Sequence, residues 1–586
     1  MSCWMDTFSV HKFGWVIHIV HASSYKSSFS LPQATHYERS LRPVRRTAKS
    51  VRFKMAKRVA IIGAGCSGLT AIKSCVDETL EPFCFERTDE IGGLWNFTEK
   101  VREDQGCVMR STVINTSKEM MCFSDFPIPK EYPNYMHNTQ VWEYFKMYAD
   151  AFSLRRHIQY NKEILSVKKS SDYEQTGRWD VQIRDHKTGS EETKVFDAVI
   201  VCTGHHASKN VPYFTGQEDF QGKIIHSHDY KDWTGYAGKR VVVVGVGNSG
   251  VDVAVELSRM GQVFLSTRRG CWVINRISEN GLPRDFLGRT RFNYLISKTL
   301  PSGYMADRAE RSVNKRFDHV LYSLKPKHRI FAQHPTVNDD MPNRIATGSI
   351  KIKADIKRFT KTGVEFVDGT VEDDIDVVIL ATGYIFGFPF IDKSVIDVQK
   401  NRVKMFKYMF PPDLPKQTLV VIGCVQPIGA IMPIAELQCR LAARVFKGTC
   451  NLPSKSEMWA DITKKEAAMA ARYVESQRHT IQVDVIDIMD ELAELVGCLP
   501  NIGRLLLTDP QLALKCYFGT TTPYQYRLRG PGKWSGAREA IMTQTHRVEY
   551  PFKTRPLPEG TQKQSSYRLT LVLLVVLIAV LYKLFF

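Results

Sequence analysis

Two copies of one strand–turn–helix pattern constrain this chain more than any other feature. Each copy begins with a β-branched strand, Arg58–Ile62 or 240–244, and continues into a GxGxxG turn and a predicted helix, 69–77 or 251–259. The glycines are Gly63, Gly65 and Gly68 in the first copy and Gly245, Gly247 and Gly250 in the second. They permit a tight turn, close approach of a pyrophosphate and close helix–strand packing, in that order. The pattern predicts an α/β fold with two Rossmann-like dinucleotide-binding domains.

One position distinguishes the two predicted sites. Glu86 and Arg268 each lie 23 residues after the first glycine of their copy, at the end of the next predicted strand. An acid at this position hydrogen-bonds an unsubstituted ribose, whereas an arginine pairs with a 2′-phosphate. The first site is therefore predicted to bind FAD or NAD, and the second to bind NADPH through Asn248, Ser249, Thr267 and Arg268. Whether Arg269 also binds phosphate or is a surface charge stays open.

Charge and cysteine content exclude other classes of protein. The chain of 586 residues has 80 Lys and Arg against 61 Asp and Glu, a net charge of +19 that is spread along its length. No basic stripe with interleaved aromatic residues occurs, so we expect no nucleic-acid partner. The 13 cysteines form no CxxC pair and no Cys/His cluster with zinc spacing, so we predict neither a metal site nor a disulfide reductase.

The two ends of the chain differ from its body. Residues 1–54 are basic and show no sustained periodicity, which predicts a disordered extension before the folded part begins at Met55. Residues 569–586 are almost entirely apolar, and at 1.5 Å per residue they make a helix close to the thickness of a bilayer core. With the interfacial Tyr567 and Arg568, we predict a C-terminal membrane tail over 567–586. Whether it spans the bilayer or lies in one leaflet stays open.

Four further motifs carry a resemblance to a known family. They are FxGxxxHxxxYK at 220–231, EIGGLW at 90–95 with Gly93, Leu94 and Trp95, NTSKEM at 115–120, and ATGY at 381–384 with Thr382 and Gly383. In this order they resemble the flavin-containing monooxygenases of the vertebrate microsomal type, the dimethylaniline monooxygenases (N-oxide-forming). The likeness covers about 55–586. The segment 472–482 is most similar to the family member with Baeyer–Villiger activity.

The resemblance implies a flavoprotein monooxygenase with FAD and NADPH as cofactors. Dioxygen would form a C4a-(hydro)peroxyflavin that oxygenates small lipophilic amines or sulfides. The alternatives are Baeyer–Villiger oxygenation of ketones or aldehydes, and an uncoupled NADPH oxidase that releases peroxide. Asn115 is the expected catalytic residue, its amide hydrogen-bonding the oxygenated flavin, although residues of this type also cap helices. The resemblance assigns His226 to a linker between domains and leaves its imidazole without an acid–base role.

The resemblance also predicts how the domains and the compartment are arranged. The flavin domain would comprise 55–209 and 373–447, and the NADPH domain 210–372 with a helical insertion at about 277–343. A helical and irregular region, 448–560, would follow. We expect an endoplasmic-reticulum protein that oxidises foreign compounds, with its folded part facing the cytosol and its two sequons, at Asn96 and Asn115, unmodified. A homo-oligomer stays open.

Overall fold

The computed structural model describes residues 56–556 and Pro558. The predicted extension 1–54 and the predicted tail 567–586 lie outside the described residues. Within the described part of the chain, every helix is too short or too polar to cross a membrane. The described residues form a mixed α/β fold around two parallel five-stranded sheets, which confirms the predicted fold class for this part.

The first sheet carries the first glycine motif. Its strand order is Leu419–Val421, Ala198–Val201, Arg58–Ile62, Glu81–Glu86 and Ile158–Tyr160, all parallel. The central strands are largely apolar and buried, which is typical of a parallel sheet that is covered on both faces. The helix Cys66–Asp77 packs against the helix Met432–Lys447. The chain thus returns to the first sheet after it has formed the second sheet.

The second sheet carries the second glycine motif. Its order is Ile350–Lys353, Val263–Ser266, Val241–Val244, Val377–Leu380 and Lys223–His226, again all parallel. The predicted boundary at 373 is wrong, because it assigned the strand before ATGY to the flavin domain. That strand, Val377–Leu380, is fully buried between two strands of the second sheet. In this position its backbone groups are hydrogen-bonded on both sides, and its apolar side chains are buried.

Helices make up about half of the predicted insertion and of the C-terminal region. The insertion contains Arg284–Gly288, Arg291–Thr299, Ser302–Asn314 and the start of Met341–Ala346. The C-terminal region contains Lys455–Arg472, Val485–Val496, Ile502–Thr508, Pro510–Phe518 and Ala537–Glu549. The sequence starts the longest of these helices with a capping box, in which Ser454 and Glu457 exchange hydrogen bonds.

Smaller elements surround the first sheet and the second sheet. The remaining helices are Lys118–Met121, Asn138–Ala151, Tyr173–Thr176 and Asn248–Leu257. Two antiparallel sheets are formed by Lys162–Lys169, Trp179–Asp185 and Glu191–Phe196, and by Ile356–Phe359, Val364–Phe366 and Val371–Glu372. Two-stranded pairs join Val273–Ile274 to Thr336–Val337, Ser208–Lys209 to Tyr384–Ile385, and Gln426–Pro427 to Gln482–Val483.

A buried ion-pair network fixes the C-terminal region to the flavin domain. The Arg527 guanidinium lies 2.5 Å from a Glu436 carboxylate oxygen and 2.9 Å from a carboxylate oxygen of Asp125. Glu436 also accepts hydrogen bonds from the backbone N–H and the hydroxyl of Ser124. Since these charges are buried, each depends on its partners to offset the loss of hydration. The network holds the C-terminal region beside the helix Met432–Lys447.

Candidate functional site

The first glycine turn has the geometry that dinucleotide binding requires. Gly63 has a φ of +97°, a left-handed conformation that favours glycine. A Cβ on Gly68 would lie 1.9 Å from the Gly63 carbonyl oxygen, so only glycine lets the helix pack this closely. Gly65 is the N-cap of the helix Cys66–Asp77, and no side chain caps this end. The first N–H groups of the helix are therefore available to a phosphate.

Glu86 lies beside this turn, as predicted. One carboxylate oxygen accepts the Ala64 N–H at 2.7 Å, and the other accepts the N–H and the hydroxyl of Thr88. A carboxylate has about four acceptor positions, and three of them are used. The fixed, buried carboxylate therefore retains acceptor capacity for a ribose hydroxyl.

The predicted second flavin motif is folded against the first turn. Gly92 donates its N–H to the Ala64 carbonyl, and a Cβ on Gly93 would lie 3.3 Å from the Gly65 Cα. Leu94 and Trp95 follow in a short 3₁₀ helix over Gly93–Trp95. Two segments that are separated by a helix and a strand in the sequence thus form one surface beside the first sheet.

Asn115 is half-buried, and its amide oxygen is fully buried with no hydrogen-bond partner among the described residues. The alternative that Asn115 caps a helix is wrong. The following helix, Lys118–Met121, has Ser117 as its N-cap residue, and no side chain hydrogen-bonds this end of the helix. The Ser117 N–H instead donates to the carboxylate of Asp285, at 2.8 Å, from the helical insertion. An unpaired buried amide oxygen is expensive unless a ligand satisfies it, so Asn115 has the character of a binding residue.

The second glycine turn repeats the geometry of the first. Gly245 has a φ of +111°, and a Cβ on Gly250 would lie 2.0 Å from the Gly245 carbonyl oxygen. Gly247 is the N-cap of the helix Asn248–Leu257, which again lacks a capping side chain. The amide oxygen of Asn248 accepts the Val337 N–H, which fixes the first helical residue and leaves the amide NH₂ of Asn248 available.

A cavity of about 790 Å³ opens at this second turn. Its walls bring together ten of the predicted cofactor-binding residues: Leu94, Gly245, Gly247, Asn248, Ser249, Gly250, Thr267, Arg268, Thr382 and Gly383. The predicted residues Gly63, Gly65, Gly68, Glu86, Gly93 and Trp95 lie at the first turn or in the segment folded against it. Asn115 does not line the cavity. Leu94 belongs to both groups, so the cavity reaches the flavin motif from the NADPH side.

Three arginines line the cavity, Arg268, Arg269 and Arg478, against two acids, Asp355 and Glu475. Arg268 and Arg269 both line it, at the position that the sequence assigned to a 2′-phosphate. Burial raises the pKa of the Asp355 carboxyl, and the nearby Arg268 partly offsets that rise. A cavity with several guanidinium groups is suited to an anion, and a 2′-phosphorylated dinucleotide is such a ligand.

Arg478 is a candidate binding residue that no motif in the sequence singles out. Its guanidinium nitrogen lies 3.3 Å from where a Cβ on Gly247 would be, so the charged group rests on the glycine turn. Among the described residues, no carboxylate lies within ion-pair distance of the Arg478 guanidinium. The neighbouring residues from Val474 to Ile481 line the same cavity. An unpaired guanidinium at an uncapped helix N-terminus points to a pyrophosphate. The only sequence signal was the resemblance of the segment 472–482.

The FxGxxxHxxxYK motif lies at one edge of the second sheet, where Lys223–His226 is the edge strand beside Val377–Leu380. His226 is buried; its Nε2 bonds the Gly383 carbonyl at 3.1 Å, and its Nδ1 accepts the His228 N–H. These two partners define a neutral imidazole with its proton on Nε2. Burial lowers the pKa of His226 to about 4, so the ring stays neutral at physiological pH. His226 ties the second sheet to the ATGY segment.

Two uncapped glycine turns on separate parallel sheets, one beside Glu86 and one beside Arg268, define a flavoprotein oxidoreductase with two dinucleotide sites. The flavin-binding monooxygenase-like family model matches residues 56–585, and the chain belongs to this family. It is 53% identical to flavin-containing monooxygenase 5 of Cavia porcellus, over 87% of this chain and 95% of that protein. It is 48% identical to dimethylaniline monooxygenase [N-oxide-forming] 2 of Rattus norvegicus, over 90% and 99%.

Solved structures show the same fold at lower identity. The S-allyl-L-cysteine S-oxygenase of Allium sativum is 24% identical, with a TM-score of 0.59 over 85% of this chain and 99% of that one. NADP⁺-bound cyclohexanone monooxygenase from Rhodococcus sp. Phi1 is 16% identical, with a TM-score of 0.54 over 75% and 98%. The predicted enzyme class, a flavin-dependent monooxygenase, is confirmed by the family, and the predicted cofactors, FAD and NADPH, agree with these findings.

Proposed function

We propose that this protein uses NADPH and dioxygen to oxygenate soft nucleophilic nitrogen or sulfur in small lipophilic molecules, through a C4a-(hydro)peroxyflavin. The observation that carries the proposal is the cavity that joins the arginine-rich second turn to Leu94 of the flavin motif. The second turn would hold the nicotinamide coenzyme, and Leu94 of the flavin motif lies in the wall of the same cavity. The relatives named as monooxygenases support the same reaction class.

The described residues fit both cofactors. The uncapped helix N-terminus after Gly65 would hold the FAD pyrophosphate, and Glu86 would hold a ribose of FAD. Arg268 would bind the 2′-phosphate of NADPH, and Arg478 would bind its pyrophosphate. When bound, the flavin supplies hydride acceptance and dioxygen activation.

The residues around the flavin position contribute hydrogen bonding and exclusion of water. The buried Asn115 amide oxygen has no partner among the described residues, so it can accept a hydrogen bond from an N–H or O–H group of a ligand without first losing another partner. The Ser117–Asp285 hydrogen bond holds the backbone two residues further on. The segment 474–481 forms part of the cavity wall and would limit the access of water to a bound nucleotide on that side.

Baeyer–Villiger oxygenation of ketones or aldehydes is the second candidate. The observation that favours it is the position of the segment 474–481 in the cavity wall, because the surrounding stretch 472–482 resembles the family member with that activity. Both reactions need the same two cofactors, so the fold and the glycine turns do not separate them.

An isotope experiment separates the candidates. The full-length protein is incubated with NADPH, ¹⁸O₂ and an equimolar mixture of a thioether and the ketone of matching carbon skeleton. We expect labelled sulfoxide as the main product. Labelled ester as the main product would establish the second candidate instead. NADPH consumption with stoichiometric peroxide and no labelled product would show an uncoupled oxidase and contradict both.

We further propose that the protein is anchored C-terminally in the endoplasmic reticulum, with its folded part facing the cytosol. The apolar residues 569–586 support the anchor, and the structure supports the orientation. Asn115 belongs to a sequon, yet its amide oxygen is buried, so a glycan on it would disrupt the folded site. A cytosolic body avoids this modification.

Truncation before residue 569 tests the anchor. In membranes washed at high salt, which screens attraction between basic surface and anionic lipid, we expect the truncated protein to be released with its FAD. Retention of the truncated protein would show a second membrane contact. Glycosidase-sensitive mass on the full-length protein would contradict the cytosolic orientation.

A further inference from the structure

A cysteine and a lysine meet where the FxGxxxHxxxYK linker contacts the flavin domain. The Lys231 ammonium lies 2.9 Å from the Cys107 sulfur and 2.8 Å from the His228 carbonyl oxygen. The Cys107 sulfur lies 3.2 Å from the same carbonyl oxygen. Cys107 also lines the 790 Å³ cavity, so dioxygen that enters the cavity reaches the pair.

The backbone already holds the two segments in register. The Arg110 N–H donates to the Lys231 carbonyl at 2.7 Å, and the His228 Nε2 bonds the Gln105 carbonyl at 2.8 Å. A covalent bond between the two side chains therefore requires no rearrangement of the chain. The nitrogen and sulfur are separated by a distance that one bridging oxygen atom can close with a small side-chain adjustment.

The environment activates the sulfur. Burial alone would raise the pKa of Cys107, but hydrogen bonds and charges from His228 and Lys231 outweigh it and lower the pKa. The hydrogen bond with Cys107, together with Asp229, raises the pKa of His228 to about 9. The other cysteines in the described part of the chain have raised pKa values, so Cys107 has the most thiolate character among them.

We propose that Cys107 and Lys231 form a reversible N–O–S bridge with dioxygen as the oxidant. The Cys107 thiolate, the Lys231 ammonium and one O₂ give one S–O–NH bridge and one water. The O=O bond breaks, one S–O and one O–N bond form, and two of the three ammonium protons leave in the water. Sulfur and nitrogen each supply two of the four electrons. The bridge would lock the linker between the two dinucleotide domains, and excess dithiol would return thiol, amine and water.

Peptide mass spectrometry tests the bridge directly. The full-length holoprotein is exposed to air or kept anaerobic with dithiothreitol, then denatured, alkylated with iodoacetamide and digested. In the air-exposed sample we expect a joined peptide that contains both residues, heavier by about 14 Da than the two unmodified peptides together, for one oxygen gained and two hydrogens lost. Trypsin should not cleave after Lys231 in this species, and dithiothreitol should remove it. Dioxygen is required but turnover is not, so the outcome is independent of the proposed oxygenation.

Two variants sharpen the test. Lys231→Arg keeps a cation beside the sulfur but removes the amine, so the joined peptide should disappear. Cys450→Ser is the matched control, because Cys450 is also partly exposed but its sulfur contacts backbone carbonyls and burial raises its pKa. This control should leave the joined peptide unchanged. The proposal is overturned if Cys107 in the air-exposed wild type is fully alkylated, or carries only its own oxygen adducts while Lys231 stays free.

Discussion

Gly250→Ala tests whether the second turn binds the nicotinamide coenzyme separately from the flavin. The added Cβ would lie 2.0 Å from the Gly245 carbonyl oxygen and 3.0 Å from the Ala381 Cβ. Ordinary contact begins near 3.4 Å, so the helix Asn248–Leu257 must move away by more than 1 Å. Overpacking of this kind costs about 1–3 kcal/mol in stability. A misplacement of about 1 Å at a binding site costs on the order of 100-fold in rate.

The assay compares flavin reduction by NADPH with flavin content. For Gly250→Ala we expect the reduction rate at subsaturating NADPH to fall about 100-fold, because the N–H groups that face the pyrophosphate have moved. FAD content should stay normal. Gly68→Ala should instead lose FAD, since its Cβ would lie 1.9 Å from the Gly63 carbonyl oxygen.

Gly303→Ala is the matched control, since a Cβ at that helical position meets open space. It should leave both readouts unchanged and raise stability by about 0.4–1 kcal/mol. A normal NADPH reduction rate in Gly250→Ala, or equal loss of FAD from both turn variants, would refute the assignment of separate sites.

Three further predictions concern coenzyme choice, coupling and acid stability. Arg268→Ala should raise the KM for NADPH about 30-fold, which is about 2 kcal/mol of binding free energy at this exposed position, and should leave the KM for NADH unchanged. An equal rise in both KM values would contradict the 2′-phosphate contact. Asn115→Ala should keep FAD but release more peroxide per NADPH than wild type, whereas Asn343→Ala on the surface should not; loss of FAD would indicate a structural role. Burial lowers the pKa of His479 from 6.5 to about 4. The neutral imidazole therefore contributes at most about 3 kcal/mol to the free energy of unfolding. This contribution is complete above pH 6.5 and is lost as the pH falls toward 4. Denaturant unfolding of His479→Gln should therefore show a shallower loss of stability between pH 6.5 and 4 than wild type, and equal slopes would contradict this.

The sequence predicted the local parts of the site well. Arg58–Ile62 is a strand with the predicted bounds, and the first glycine of each motif adopts a left-handed conformation in the predicted tight turn. These features depend on neighbouring residues. The first helix begins at Cys66, three residues before the prediction, since the turn residues themselves enter the helix. Helix ends are fixed by capping geometry, which an apolar pattern does not show.

The sequence could not predict contacts between distant segments. The strand Val377–Leu380 looks like any buried parallel strand, and only its pairing partners place it in the second sheet. Arg478 lies more than 200 residues from the glycine turn that its guanidinium contacts, and Lys231 lies 124 residues from Cys107. Tertiary folding creates these contacts, so no spacing rule along the chain predicts them.

Stopped-flow absorbance tests the central proposal most directly. The full-length enzyme is reduced anaerobically with one equivalent of NADPH and mixed with dioxygenated buffer without substrate. The account predicts an oxygenated flavin that persists for many turnover times and decays at once when an amine or sulfide is added. Immediate return to oxidised flavin, with one peroxide released per NADPH, would contradict it.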